Sequence, residues 1–244
     1  MLIEHNKYDE AKLYIEKLVR DYGYTVEYIE REGYFAELEK NIDWNKFKQH
    51  LSQLNNNFYS KVDTALVVQL ADMCIIDQTV RNKTQYNRKL MEETDSINEQ
   101  KIKYIFDNYG YPDEKLVGLS NKTIFKVDIS TMLMHFSDTA YFRPKLLEFI
   151  RKGECQPVIL GNFIDSYQRR DTAKLKYVYG IYSNSLDKVK DFQNMDVRRK
   201  SIGMPTLAMQ QKRDSLINIR FAHKAGDIEI IVNGRGDTIE VKHF

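Results

Sequence analysis

The chain has few of the residues that mark a disulfide-rich, collagenous or membrane-spanning protein. It contains two cysteines, four prolines and eleven glycines among 244 residues. Cys74 and Cys155 lie far apart in apolar segments and belong to no CxxC or Cys/His cluster, which favours two reduced, buried thiols over a disulfide. No stretch reaches the roughly 18 apolar residues of a membrane span, and no signal-peptide core follows Met1. As written, the sequence predicts a soluble, cytoplasmic protein, unless a targeting segment precedes Met1.

A strong net charge is also missing. Lysine and arginine number 37 and aspartate and glutamate 35, which leaves a formal charge of +2. Such a balance creates no global field that would attract nucleic acid or an anionic membrane, so we predict neither partner. The hydrophobic fraction of 42% is enough to build a packed core and excludes a disordered chain.

Apolar residues recur at helical spacing over most of the chain. Ala11, Ile15 and Val19 share one face of a helix that Gly23 would close with a left-handed residue, and Asp43 is placed to cap a later helix. We therefore predict a mainly α-helical protein with a repeat-like helical leader (residues 1–55), a compact helical domain (62–217) and a C-terminal β-hairpin (within 218–244).

Polar runs and caps set the boundaries in the first half. The Asn-rich residues 51–61 predict a connection between leader and domain. One helix is predicted from about Asp63 into the region 83–91, with residues 92–95 ending or interrupting it. A later helix would start at Asp128 or Ser130.

In the second half of the chain, prolines and a run of alternating apolar and polar residues predict where helices and extended segments begin. Arg143-Pro144 and then Pro157 are each predicted to open a helix. Residues 174–181 alternate apolar and polar side chains, which predicts a short strand or an extended loop. Asn233-Gly234 is typical of a hairpin turn.

An acid, an amide and a base interrupt an apolar run near residue 77. Met73, Asp77 and Arg81 follow one another on one helical stripe, so the carboxylate points where the apolar residues point. A buried carboxylate is costly without a partner, and Arg81 lies one turn away. Two interpretations stay open: a structural ion pair, and a ligand site in which Asp77 is a base, Arg81 grips an anion and Gln78 contributes.

His135 and Asp138 share an edge of the helix predicted to start at Asp128 or Ser130. They are interpreted as a general base with an orienting carboxylate, and the alternative is a packed, hydrogen-bonded histidine. No second histidine lies near enough to form a recognisable metal motif, so we predict no metal and no cofactor.

Further candidate ligand-binding residues lie late in the domain. They are Asp165, Tyr179, Arg198 and Arg199. The alternatives are a core tyrosine with its hydroxyl at the rim and a solvated basic turn.

Several short motifs occur in a recognisable order between Leu66 and Ile217. They are Asp77-Gln78-x-x-Arg81, Tyr109-Gly110-Tyr111-Pro112, Met134-His135-x-x-Asp138, Phe163-Ile164-Asp165, Tyr179-Gly180 and Asp196-Val197-Arg198-Arg199 with Ile202-Gly203-Met204. The set resembles domain-of-unknown-function family 6624, which is found in bacteria and has no established activity. The resemblance therefore implies one domain and a shared set of residues, without naming a chemistry.

The sequence departs from that family's pattern at three polar positions. Met134 stands where the family usually has glutamine, Ser166 where it has arginine, and Ile181-Tyr182 where it has threonine-glutamine. If the family is enzymatic, these departures imply altered specificity or reduced activity.

The first fifty residues resemble the degenerate last unit of a tetratricopeptide-like array. The motifs are Tyr8-Asp9-Glu10-Ala11, Ile15-Glu16-Lys17-Leu18, Phe35-Ala36-Glu37-Leu38 and Asp43-Trp44-Asn45-Lys46-Phe47. Such units stack on preceding repeats, which implies a protein partner for the leader.

Three functional hypotheses stay open. In the first, Asp77 and His135 line a pocket for a small polar or anionic ligand, and the chain is a hydrolase with His135 as base and Arg81 as anion clamp. In the second, the chain is a non-enzymatic interaction module and the Asp/Arg/His set is a structural network. The third, a toxin or immunity component, rests on the bacterial occurrence of the family it resembles.

Overall fold

Helices make up most of the structure, which confirms the mainly α-helical prediction. A computed structural model describes residues 5–31, 35–82, 87–119, 127–170, 176–182, 186–224, 228–232 and 238–243. The helices are α1 (Tyr8–Tyr22), α2 (Val26–Arg31), α3 (Ala36–Asn41), α4 (Trp44–Tyr59), α5 (Thr64–Thr79), α6 (Arg88–Asn108), α7 (Glu114–Val117), α8 (Ser130–Leu133), α9 (Thr139–Lys152), α10 (Pro157–Gln168), α11 (Met195–Ser201) and α12 (Leu207–Lys224). Within these ranges, no helix combines the length and apolar character needed to cross a membrane.

The helices α1 to α4 enclose a hydrophobic core of their own. Ile15 and Val19 of α1 pack with Leu51 of α4, because the apolar positions of each helix recur every three or four residues. Gly23 ends α1 in the left-handed conformation, with φ of 67°, as predicted. The connection expected over residues 51–61 is wrong: α4 continues to Tyr59, because Leu51 faces this core.

The end of α4 ties the leader to the following domain. The hydroxyl of Tyr59 donates to the carbonyl of Gly23 at 2.9 Å. The Tyr59 ring also lies against Gly118, where an added Cβ would sit 2.7 Å from the tyrosine oxygen. Gly118 therefore has both a positive φ, of 79°, and no room for a side chain.

The second hydrophobic core is built mainly by α5, α6, α9 and α10. Phe142 of α9 stands at its centre, and its ring centroid lies 5.8 Å from that of Phe106, 5.2 Å from Phe136 and 5.7 Å from Phe163. These are favourable tilted and edge-to-face contacts. They join α6, α9, α10 and the segment that carries His135.

The break between α5 and α6 differs from the prediction. Asp63 caps α5 by accepting from the Leu66 N–H, but α5 ends at Thr79 and does not reach residues 87–91. A new helix begins where the Asn87 side chain accepts from the Leu90 N–H. Residues 92–95 lie inside α6, so the expected interruption there is also wrong.

Two other helices differ from the prediction, although the first starts at Ser130, one of the two predicted positions. The helix expected to carry His135 and Asp138 is only the turn Ser130–Leu133, so the two side chains share no helical edge. Asp138 instead caps α9 by accepting from the Tyr141 N–H, which starts that helix upstream of Pro144. Pro157 does open α10, as predicted.

The chain between α10 and α12 is mostly irregular. A short strand or an extended loop was predicted for residues 174–181, and residues 176–182 form an extended loop with one β-bridge from Tyr177 to Val189. Residues 174 and 175 lie outside the described ranges. Two single-turn 3₁₀ helices (Leu186–Lys188 and Phe192–Asn194) precede α11, and α12 ends at Lys224, beyond residue 217 where the helical domain was predicted to end. Strands β1 (Ile228–Val232) and β2 (Thr238–His243) pair antiparallel. The Asn233-Gly234 turn lies outside the described residues, so the terminal hairpin stays a prediction.

Candidate functional site

Asp77 lies at the buried end of α5. Its helix is apolar on nearly all sides, and Asp77 falls on the same stripe as Leu70 and Met73, each no more than 2% exposed. The carboxylate itself is 0% exposed. The buried acid that the spacing predicts is therefore present.

Arg81 holds this carboxylate from just beyond the helix end. Its Nη1 lies 2.9 Å from Asp77 Oδ1 and also donates to the Asp77 carbonyl at 2.8 Å. Its Nη2 contacts the carboxylate of Asp95 on α6. Gln78 donates to the other Asp77 oxygen at 2.6 Å. Arg81 is thus enclosed by two carboxylates, and this geometry argues against its expected use as a clamp for a ligand anion.

His135 lies next to this ion network, and the two influence each other's charge. Burial raises the pKa of Asp77, opposed by the positive charges of Arg81 and His135. Burial lowers the pKa of His135, and the positive charges of Arg81 and Arg170 lower it further. At neutral pH the imidazole is therefore uncharged and able to accept a proton.

The half-buried His135 ring borders an open cleft of about 880 Å³. One wall is a face of α6, the other is the end of α10, and the segment after α8 lies between them. The lining residues are Glu92, Asp95, Ser96, Glu99, Gln100, Met134, His135, Ser137, Ser166, Arg169, Arg170 and Tyr182. Asp77, Gln78 and Arg81 lie behind this lining, so only His135 of the predicted catalytic and binding residues borders the cleft directly.

Asp138 is engaged away from the cleft. It caps α9 and accepts from Lys103 Nζ at 2.8 Å, and both contacts lower the pKa of its carboxyl group. Lys103 also lies 3.2 Å from Glu99. The role of Asp138 as an orienting partner of His135 stays a prediction, without support from these contacts.

The remaining candidates form a separate clasp around the loop 178–181. Asp165, 0% exposed, accepts from the backbone N–H groups of Val178, Tyr179 and Ile181 at 2.7, 3.0 and 2.9 Å. Burial nevertheless raises the pKa of this carboxyl group. The loop thus obtains partners for its buried N–H groups, as buried backbone requires.

Two arginines hold the same loop from the side of α11. Arg199, 1% exposed, donates to the carbonyl of Tyr179 at 2.9 Å and to that of Pro205 at 2.8 Å. Arg198 donates to the carbonyl of Val178 at 3.0 Å. These side chains bind backbone, so the structure separates this group from the cleft and gives it a visible structural role.

The cleft residues Arg169 and Arg170 were not predicted. They follow Ser166 by three and four residues, the spacing of one helical face, and lie just beyond the end of α10. That spacing, next to the buried Asp165, was the available signal. The Arg-Arg pair by itself is commonplace at a helix end.

Met134, Ser166 and Tyr182 meet in one contact network within the cleft. Ser166 Oγ donates to the Tyr182 hydroxyl at 3.2 Å, and that hydroxyl lies 2.7 Å from Met134 Sδ. Residues distant in sequence therefore combine to shape one wall. A change at any of them would alter the same part of the cleft.

The cysteines do not contribute to the cleft. Cys74 and Cys155 are both buried and neither is in a disulfide, as predicted. Burial raises the pKa of Cys74 to about 11, so its thiol is unreactive at neutral pH.

Comparisons with protein-family models, with curated proteins and with solved structures found no match to this chain. The argument for function therefore rests on the geometry of the cleft.

Proposed function

We propose that the chain binds a small polar ligand in the cleft beside His135, and that His135 accepts a proton from the ligand or from an attacking water in a hydrolysis. The supporting observation is the imidazole itself. It borders the cleft, its lowered pKa keeps it neutral, and its ring forms no hydrogen bond within the described ranges. A free, uncharged imidazole at a cleft wall is suited to general-base chemistry.

The ion network behind His135 supports this role by its charge. Arg81 adds positive charge that disfavours the imidazolium, while Asp77 and Asp95 offset part of it. Burial is the main cause of the lowered pKa of His135, and Arg81 adds to it from outside the cleft lining. Asp77 and Arg81 act in this proposal as positioning and electrostatic residues.

A ligand screen tests the proposal. Purified wild-type protein, His135→Ala and the matched control His50→Ala are melted with nucleotides, sugars, phosphate esters and divalent metals. His50 is an exposed histidine that pairs with Glu16 at 3.5 Å in the leader. A ligand at a hundredfold excess over its dissociation constant stabilises the fold by about 2.7 kcal/mol.

We expect a stabilising ligand for wild type and His50→Ala that has no effect on folded His135→Ala. If every stabilising ligand acts equally on His135→Ala, or if none stabilises the wild type, the proposal fails.

A second candidate is the interaction module, which the leader favours. Leu13 and Tyr14 of α1 are 65% and 62% exposed, and this candidate assigns them to the contact with a protein partner. In this case no small molecule stabilises the fold, and changing Leu13 and Tyr14 to serine abolishes binding to a protein partner. The toxin version of the third hypothesis predicts a growth effect when the chain is expressed in cells.

Other sequence-based expectations are retained as proposals. They are membership of family 6624 over residues 66–217, the tetratricopeptide-like nature of residues 1–50, the terminal hairpin and a cytoplasmic location.

A further inference from the structure

Each carboxylate of the α6 wall has a cationic neighbour. Three acidic side chains point to the cleft from this helix, and the pairs are Glu92 with Arg88 at 2.8 Å, Asp95 with Arg81, and Glu99 with Lys103 at 3.2 Å. Two of these cations are shared, because Arg81 also pairs with Asp77 and Lys103 with Asp138. The negative charge of this wall is therefore partly compensated.

The opposite wall carries cations without an acidic partner. Arg169 and Arg170 follow α10, are exposed, and form no ion pair with a carboxylate in the part of the chain that the structure describes. The guanidinium of Arg169 lies over the Tyr182 ring, 5.0 Å from its centroid. Among the described residues, the cations of the cleft that lack an acidic partner therefore lie on this wall.

The two arginines have different tasks. Arg170 Nη2 donates to the carbonyl of Phe136 at 2.9 Å and approaches that of Met134 at 3.4 Å. These carbonyls flank His135, so Arg170 is a positioning residue for the histidine. Arg169 rests on an aromatic ring, and its N–H groups make no hydrogen bond to a described side chain. They are available to a ligand.

We propose that the ligand of the cleft carries an anionic group, phosphoryl or carboxylate, which Arg169 binds. A planar guanidinium matches the two oxygens of either group, and stacking on Tyr182 limits its orientations. The hydroxyl groups of Ser166 and Tyr182 line the same wall, but their protons are donated to Tyr182 Oη and Met134 Sδ, so the guanidinium is the donor that the proposal assigns to the anion. This inference rests on the proposed function, because it assigns the ligand class of the His135 cleft.

The test uses three probes that share a ring and differ in charge: phenyl phosphate, benzoate and phenol. Binding to the full chain is measured by ligand-observed NMR at low and at moderate salt. The variants are Arg169→Gln, Arg169→Lys, His135→Gln and the control Arg151→Gln, which removes an exposed arginine of α9 outside the cleft. Unchanged melting temperatures show that a variant is folded.

We expect phenyl phosphate or benzoate to bind wild type and Arg151→Gln with a dissociation constant of about 10 mM or below. Arg169→Gln should weaken this binding at least about tenfold, the effect of losing one charge-assisted hydrogen bond, and Arg169→Lys should weaken it less. Added salt should weaken it as well, because the arginine is exposed. Preference for phenyl phosphate or for benzoate identifies the anion as phosphoryl or carboxylate.

The inference is overturned if neither anion binds at 10 mM, if phenol binds as tightly as the anions, or if Arg169→Gln binds them like wild type. If Arg169→Gln loses binding and His135→Gln still binds like wild type, the anion site is supported and the role of His135 is not. The reverse pattern retains the His135 cleft and refutes Arg169 as its anchor.

Discussion

Replacing Arg81 with methionine would measure what its guanidinium contributes to the buried end of α5. Asp77 is 0% exposed, and Arg81 is its ion-pair partner at 2.9 Å. Without Arg81, the carboxylate keeps the Gln78 amide at 2.6 Å as its side-chain donor. Breaking a buried ion pair by removing one partner costs about 3–5 kcal/mol. We expect a loss near the lower end, about 3 kcal/mol, because the Gln78 bond remains.

A double-mutant cycle separates the pair from its surroundings. Asp77→Asn leaves Arg81 with Asp95, so we expect it to cost less, about 1–3 kcal/mol. The double variant has neither charge at the end of α5, so its loss should fall short of the sum of the single losses by about 1–3 kcal/mol.

Urea denaturation followed by circular dichroism gives these free energies of unfolding. Arg88→Met is the matched control, since it removes an arginine from an exposed i,i+4 pair with Glu92 and should cost less than about 1 kcal/mol. Without Arg81, the pKa of Asp77 in the folded state rises further above 3.8, so in Arg81→Met this carboxylate takes up a proton at a higher pH than in wild type. The loss of unfolding free energy in Arg81→Met should therefore shrink as the pH falls towards 3.8. If Arg81→Met matches the control, or the two single losses add, the buried-pair reasoning is refuted.

Three further changes test other parts of the structure. Burial lowers the pKa of His135 below 6.5, so just below pH 6.5 the histidine binds a proton more readily in the unfolded state than in the folded state. As the pH rises towards 6.5, the unfolding free energy should therefore increase more steeply in wild type than in His135→Gln. Equal slopes for the two proteins would contradict this. Asp165→Ala leaves three backbone N–H groups without their acceptor and should cost about 3 kcal/mol or more in urea denaturation, with Asp165→Asn less harmful. Gly118→Ala should cost about 1–3 kcal/mol, because φ is 79° and Tyr59 fills the space, and a melting temperature like that of wild type would show that the contact yields freely.

Local chemistry explains the successful predictions. The left-handed Gly23, the Asp43 and Asp63 caps and the Pro157 helix start each depend on residues within one helical turn. The pairing of Asp77 with Arg81 belongs to the same class, because four residues bring the two side chains together on any helix.

The errors have a common cause in contacts between distant segments. Polar residues 51–59 looked like a linker, yet Leu51 packs in the leader core and Tyr59 reaches Gly23. Asp138 was read with His135 because they are close in sequence, but its carboxylate meets Lys103 from α6. Sequence spacing contains no information about which helix lies opposite.

By itself, the sequence determined the mainly helical class, the buried acid of α5 and its arginine partner, since these follow from periodicity and from interactions within one turn. The tertiary structure alone decided which candidates share a site. It placed Asp95 beside Arg81 and Arg170 beside the carbonyls that flank His135. It also placed the Asp165 carboxylate where it accepts hydrogen bonds from the backbone of the loop 178–181. It also left Arg169 without an acidic partner among the described residues, because charge compensation depends on the packing of whole helices.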